Sequence, residues 1–169
     1  DATRRRDLLS ALCRLYNVEG AWAGDSWGTR PDHRGPYYQP EPWSDSPKIA
    51  DAILKTMAKL DSTDATWLGN ELARNRANLK DATRQLLARA EQDPSVLAPL
   101  FRNLADSDDI PAAALPLLIR VVTDKATEPK LRVDGIVALT KTDNRDAFAA
   151  IIKGMTLNCH DGIHRARKA

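Results

Sequence analysis

The stretch Glu128 to Met155, EPKLRVDGIVALTKTDNRDAFAAIIKGM, decides the fold. It opens with an acid followed by Pro129, and proline suits the first helical position because an N–H there would lack an intrahelical partner. Leu131, Ile136, Val137 and Leu139 follow at helical spacing, a short Asp/Asn turn interrupts the run, and Asn144 can cap a second helix carrying Phe148, Ile151, Ile152 and Met155. The segment reads as a helical hairpin. Shifted back by about 35 positions, the pattern recurs: Asp93-Pro94 falls on Glu128-Pro129, Phe101 on Ile136, Leu104 on Leu139 and Leu117 on Ile152. Two hairpins at the period of helical-repeat arrays predict a stack, since each apolar stripe is too broad to leave in water and too small to bury against itself.

The rest of the chain agrees in period. Leu8, Leu9, Leu12, Leu15 and Tyr16 form one stripe of a first helix, with Arg4, Arg5, Arg6 and Asp7 on its other side. Ser46-Pro47 starts a second helix, with the Ser hydroxyl as cap, and Ile49, Ile53, Met57 and Leu60 share a face. Asp64 precedes Trp67, Leu68 and Leu72, and a break near Asn75 to Asn78 separates them from Leu79, Leu86 and Leu87. Beyond Pro111 come Leu115, Leu118, Val121 and Val122, where Pro116 demands a late helix start or a bend. No alternating stretch is long enough for a strand. The expected fold is all-α, an α-α superhelix of stacked antiparallel pairs (residues 1–169, one domain), interrupted by one long loop over 18–46 that is rich in Trp, Tyr, Pro and Gly.

Composition narrows the function. Apolar residues make up 43% and charged residues 28%, as in a globular domain, and 25 Lys and Arg against 23 Asp and Glu give no strong field to attract nucleic acid or an anionic membrane. The basic ends, Arg4 to Arg6 and His164 to Lys168, read as solvated. No apolar run approaches the roughly 20 residues that span a bilayer, so no membrane insertion is expected. Asp1 in place of Met suggests a segment of a larger protein. Cys13 and Cys159 are too far apart to suggest a disulfide framework or a metal motif, and Cys13 lies on the apolar face of the first helix.

The residues 128 to 155 resemble a HEAT repeat: a Pro-led first helix, Arg132 one turn in, Ala138-Leu139 at its end, and a second helix with paired Ile. The earlier stretch LCRLYNVEGAWAGDSWGTRPDHRGPYYQPEPWSDSPKI, Leu12 to Ile49, looks like the helical-repeat segment of large multidomain secreted proteins of planctomycetes and their relatives (the PVC group). Those proteins join a sugar-dehydrogenase-like propeller to HEAT-like helices and a c-type haem domain. The resemblance implies a periplasmic or secreted spacer or docking platform between redox domains, with no catalytic residue of its own. Covalent haem needs two Cys before a His, and ahead of Cys159-His160 the first Cys position holds Thr156, so no cofactor is expected.

Side chains unusual for a scaffold gather in the loop, and the candidate interaction residues are Trp22, Trp27, Arg30, Asp32, His33, Arg34, Tyr37, Tyr38 and Trp43. Aromatic rings with polar handles and Arg forks suit a protein surface, an acidic group or a sugar face. The same rings can instead pin the loop onto the first helices. Asp32-His33 lacks a Ser or Cys nucleophile in any known motif, so catalysis is not assigned. His160 and His164 would share a helix face at metal-ligand spacing, but no third ligand is evident and no metal is assigned. The expected function is therefore a non-enzymatic scaffold or docking module for other domains of the parent protein or a separate protein. The alternatives are a HEAT-like domain gripping a nucleic-acid backbone, which needs Arg74, Arg76, Lys80, Arg84 and Arg89 on one concave face, or a carbohydrate-binding or hydrolytic site requiring an open pocket among Trp27, Asp32, His33 and Tyr37.

Overall fold

The computed structural model describes residues 1–21, 36–37 and 39–166. Among them are eight helices: α1 (Ala2–Leu15), α2 (Ser46–Met57), α3 (Ser62–Arg74), α4 (Lys80–Ala90), α5 (Leu97–Asp106), α6 (Leu115–Thr123), α7 (Pro129–Leu139) and α8 (Arg145–Ala166). The expected all-α class holds at that level. Residues 93–155 contain no strand. The chain gathers into two compact units, residues 1–99 and 100–169, with the boundary inside α5.

In the first unit α1 packs on α2 and α3, and α4 on α2 and α3. Ile53, Met57, Leu68, Leu72 and Leu86 fill its core with Leu9 and Cys13 of α1. Each such aliphatic burial contributes roughly 1.5–3 kcal/mol. The α1 stripe is narrower than the spacing suggested, because Leu8 and Leu15 are more than half exposed. Ser46 does not cap α2 with its hydroxyl. It is the first helical residue, and its Oγ accepts from the Trp43 amide at 2.7 Å and donates to the Tyr16 carbonyl at 2.6 Å.

The expected break after α3 is a left-handed helix stop. The Ala77 N–H reaches back to the Leu72 carbonyl (2.9 Å) and the Arg76 N–H to Ala73 (3.0 Å), with Arg76 at φ 54°. Arg89 of α4 donates to the Leu60 and Met57 carbonyls at 2.8 and 2.9 Å, so a cation closes the C-terminal end of α2.

One small sheet was not expected. β1 (Asn17–Glu19) pairs antiparallel with β2 (Pro40–Pro42), Val18 opposite Glu41, at the two ends of the long loop. Three-residue strands are too short to show an alternating pattern, and two prolines conceal one of them. Buried Asn17 anchors the ribbon, its Nδ2 donating to the Asn75 and Arg76 carbonyls at 3.3 and 3.1 Å.

In the second unit α6, α7 and α8 pack on one another. α6 does start late: a 3-10 turn spans Ala112–Ala114 and Pro116 sits in the first helical turn, where it breaks no hydrogen bond. Asn144 caps α8, its Oδ1 accepting from the amides of Asp146 (2.8 Å) and Ala147 (3.1 Å). Val122 of α6 wedges between two glycines. A Cβ at Gly135 of α7 would lie 2.7 Å from one Val122 methyl, and a Cβ at Gly154 of α8 2.6 Å from the other. Arg132 is fully buried and donates to the carbonyls of Thr127 (2.8 Å) and Asp124 (3.1 Å) just past α6 and to Oδ1 of Asn158 (2.7 Å) on α8. One guanidinium thus ties three segments together through its fork of donors.

Candidate interaction surfaces

Of the nine loop residues singled out from the sequence, Tyr37 and Trp43 are described; Trp22, Trp27, Arg30, Asp32, His33, Arg34 and Tyr38 lie outside the described residues. Trp43 follows β2 and donates its indole N–H to the Leu15 carbonyl at the end of α1 (2.8 Å). Its ring therefore fastens the returning chain to α1. Tyr37 has the Arg14 guanidinium 5.8 Å from its ring centre, and its carbonyl accepts from Arg76 at 3.3 Å. Both are held by neighbours of α1 and α3, as pinning residues would be.

Sequence reasoning missed a cleft of about 350 Å3 between α1 and α3, lined by Arg6, Asp7, Ser10, Trp67, Glu71 and Arg74 among others. Asp64, one turn into α3, accepts from Arg6 at 2.9 and 2.5 Å and from Arg5. These hydrogen bonds, Arg6 foremost, hold its carboxyl below the usual value of 3.8. Arg6 also lies 5.5 Å from the centre of the Trp67 ring. Arg5 and Arg6 are therefore not merely solvated helix ends; they bridge α1 to α3. Deeper in, Ser10 donates to Glu71 at 2.7 Å and Arg74 stands 3.6 Å from the same carboxylate. These hydrogen bonds and ion pairs fasten α1 to α3. Asp64 and Trp67, three apart on α3, carried the only local signal, and their partners lie some sixty positions away.

Four of the five basic residues that a nucleic-acid face would need have partners within the chain. Arg84 pairs with Asp81 at 2.6 Å and Arg74 with Glu71, while Arg76 and Arg89 donate to backbone carbonyls. Phosphate binding through counterion release needs cations available to phosphate. Among the described residues no group of three His, Cys, Asp or Glu could hold a metal. α8 runs unbroken through Gly162, which places His160 and His164 one turn apart on the backbone; their side chains lie outside the described residues. Among the described residues no helix is long and apolar enough to cross a membrane.

The second unit departs most from the sequence pattern. Phe148, Ile152 and Met155, expected in the core, are 65%, 54% and 56% exposed. Their spacing of four and three places them on one stripe of α8. The helix buries small residues instead, Ala147, Ala150 and Gly154, because the approach to Val122 leaves no room for large ones. On α7, Val133 and Val137 are likewise exposed while Ala138 and Leu139 are buried. Five large apolar side chains thus face solvent on one hairpin.

Comparison with protein-family models, curated proteins and solved structures gave no match.

Proposed function

We propose that this chain is a non-enzymatic scaffold of HEAT-like helical hairpins that docks another protein or domain. The observation that carries the reading is the exposed stripe Phe148, Ile152 and Met155 on α8. A soluble hairpin gains nothing by showing three large apolar groups at helical spacing to water, whereas a docking hairpin needs them. The resemblance of Leu12 to Ile49 to the helical segment of secreted dehydrogenase–cytochrome proteins makes the other domains of such a parent the first partners to try, in a periplasmic or secreted setting.

The test is capture with a photo-crosslinking residue placed at position 152. A single partner or domain crosslinked by the native chain, and lost with Phe148→Asp, carries the proposal. Crosslinking that is equal in native and variant chains, or absent from both, counts it out.

A further inference from the structure

We infer that the cleft between α1 and α3 is a binding site for a dipeptide-sized zwitterion, held by its ammonium on Asp7 and by its carboxylate on Arg74. The site belongs to the first unit alone and is separate from docking at α8. Its volume of about 350 Å3 falls within the range of small-ligand sites. Two charges in its walls are left largely unused by the chain. Asp7 makes no hydrogen bond or ion pair among the described residues. Arg74 is 77% exposed, and its ion pair to Glu71 is 3.6 Å long. That is wider than the roughly 2.7–2.9 Å of a charge-assisted hydrogen bond, so its donor fork is open to a better acceptor. Glu71 meanwhile already accepts from Ser10 at 2.7 Å. Asp7 and Arg74 are of opposite sign and line the same cleft, yet they do not pair with each other.

The register of the two helices explains why, and sets the length of what would bridge them. Arg6 meets Asp64 and Trp67, and Ser10 meets Glu71, so α1 and α3 run parallel. Asp7 stands three residues before Ser10, and Arg74 three residues after Glu71. At a rise of about 1.5 Å per residue, the two positions are roughly 9 Å apart along the cleft. Arg74 reaches back toward Glu71, as helical side chains do, and shortens that gap. A free α-amino acid carries both charges on one carbon and is short for such a span, whereas a dipeptide places a peptide unit between them. Trp67 lies toward the Asp7 end, at the level of Arg6, and gives the ligand's first residue an aromatic wall. Arg6 spends its Nε and Nη2 on Asp64 while standing 5.5 Å from the ring centre, so this wall is set before a ligand arrives.

The probe is the dipeptide Phe-Gly, followed through the Trp67 indole N–H in proton–nitrogen correlation spectra, with the resonance assigned by Trp67→Phe. A ligand of this size on an open site should bind with a Kd on the order of 1 mM. Blocking either end, as N-acetyl-Phe-Gly or Phe-Gly-amide, should weaken binding about tenfold or more, because each removes one charged contact. Asp7→Asn and Arg74→Gln should do the same while leaving the helical dichroism unchanged, since both side chains are exposed. The absence of a saturable shift up to roughly 20 mM Phe-Gly overturns the inference. Capped peptides that bind as well as Phe-Gly, or variants that bind it as the native chain does, overturn it equally. Phenylalanine alone binding as tightly as Phe-Gly overturns the dipeptide assignment in favour of a free amino acid.

Discussion

Val122 sets the spacing of the second unit, and replacing the glycines beside it gives a sharp test. Alanine at Gly154 improves helix propensity by about 0.8–1.0 kcal/mol. Its Cβ, however, would sit 2.6 Å from Val122 Cγ1, with Ile136 Cδ1 and the Val122 carbonyl oxygen both at 3.2 Å. Overpacking of this kind costs about 1–3 kcal/mol. The net effect of Gly154→Ala is a loss of about 1 kcal/mol, or roughly 2–4 °C in Tm for a chain of this length. Val122→Ala alone should cost about 2–3 kcal/mol in lost burial and residual cavity. In that background the 2.6 Å contact is gone and only the 3.2 Å contacts to Ile136 Cδ1 and the Val122 carbonyl oxygen stay, so Gly154→Ala should stabilise by up to about 1 kcal/mol. The coupling between the two sites is then up to about 2 kcal/mol, well beyond the ~0.5 kcal/mol scatter of independent sites. Urea unfolding followed by helical circular dichroism measures all four corners of the cycle. Additive effects, or a Gly154→Ala variant more stable than the native chain, would refute the close approach of α8 to Val122.

Other residues give independent checks. Arg132→Lys should destabilise by about 2–4 kcal/mol in urea midpoints, since one ammonium cannot span Thr127, Asp124 and Asn158 as the guanidinium fork does; a neutral result would place the cost elsewhere. Arg76→Gly should raise stability by about 0.5–1 kcal/mol, because a non-glycine residue pays to hold φ 54°; a fall in Tm would mean that the Arg76 contact to the Tyr37 carbonyl outweighs the strain. Asp64 has a folded pKa lowered below 3.8, so its ionised form stabilises the fold above that pH and the contribution is lost as pH falls through the lower folded value. The Tm gap between native chain and Asp64→Asn should accordingly be open at neutral pH and close in strong acid; a gap that does not change with pH would remove the bridge from Arg5 and Arg6 as its cause. Polar replacement at fully buried Leu104 or Leu139 should abolish cooperative unfolding of the second unit, read by the same dichroism.

Helix boundaries were legible because they are written locally. Pro94, Pro129 and Asn144 each act on the few amides next to them, so the starts of the 93–96 turn, α7 and α8 follow from residues within one turn. The break at Asn75 to Asn78 was visible for the same reason, although its left-handed residue proved to be Arg76, and nothing in an Arg announces φ > 0. The Arg5–Asp64–Arg6 bridge and the pairing of Val18 with Glu41 were not legible, because they join residues far apart in sequence whose approach is fixed only after the helices pack.

The candidate surface was hidden by the rule that revealed the fold. Helical spacing identifies an apolar stripe but does not say which neighbour covers it, and Phe148, Ile152 and Met155 carry the same period as a core face. The deciding information lay in the small residues between them. Ala147, Ala150 and Gly154 look like filler in a sequence scan, yet they form the face that meets α6 and α7, because two helices can close on Val122 only where no side chain intervenes. Once the small face is taken as the packed one, the large face must turn elsewhere. An α8 with large residues inward would hold its backbone away from Val122 and lose that contact, so the packing that stabilises the unit also displays the stripe.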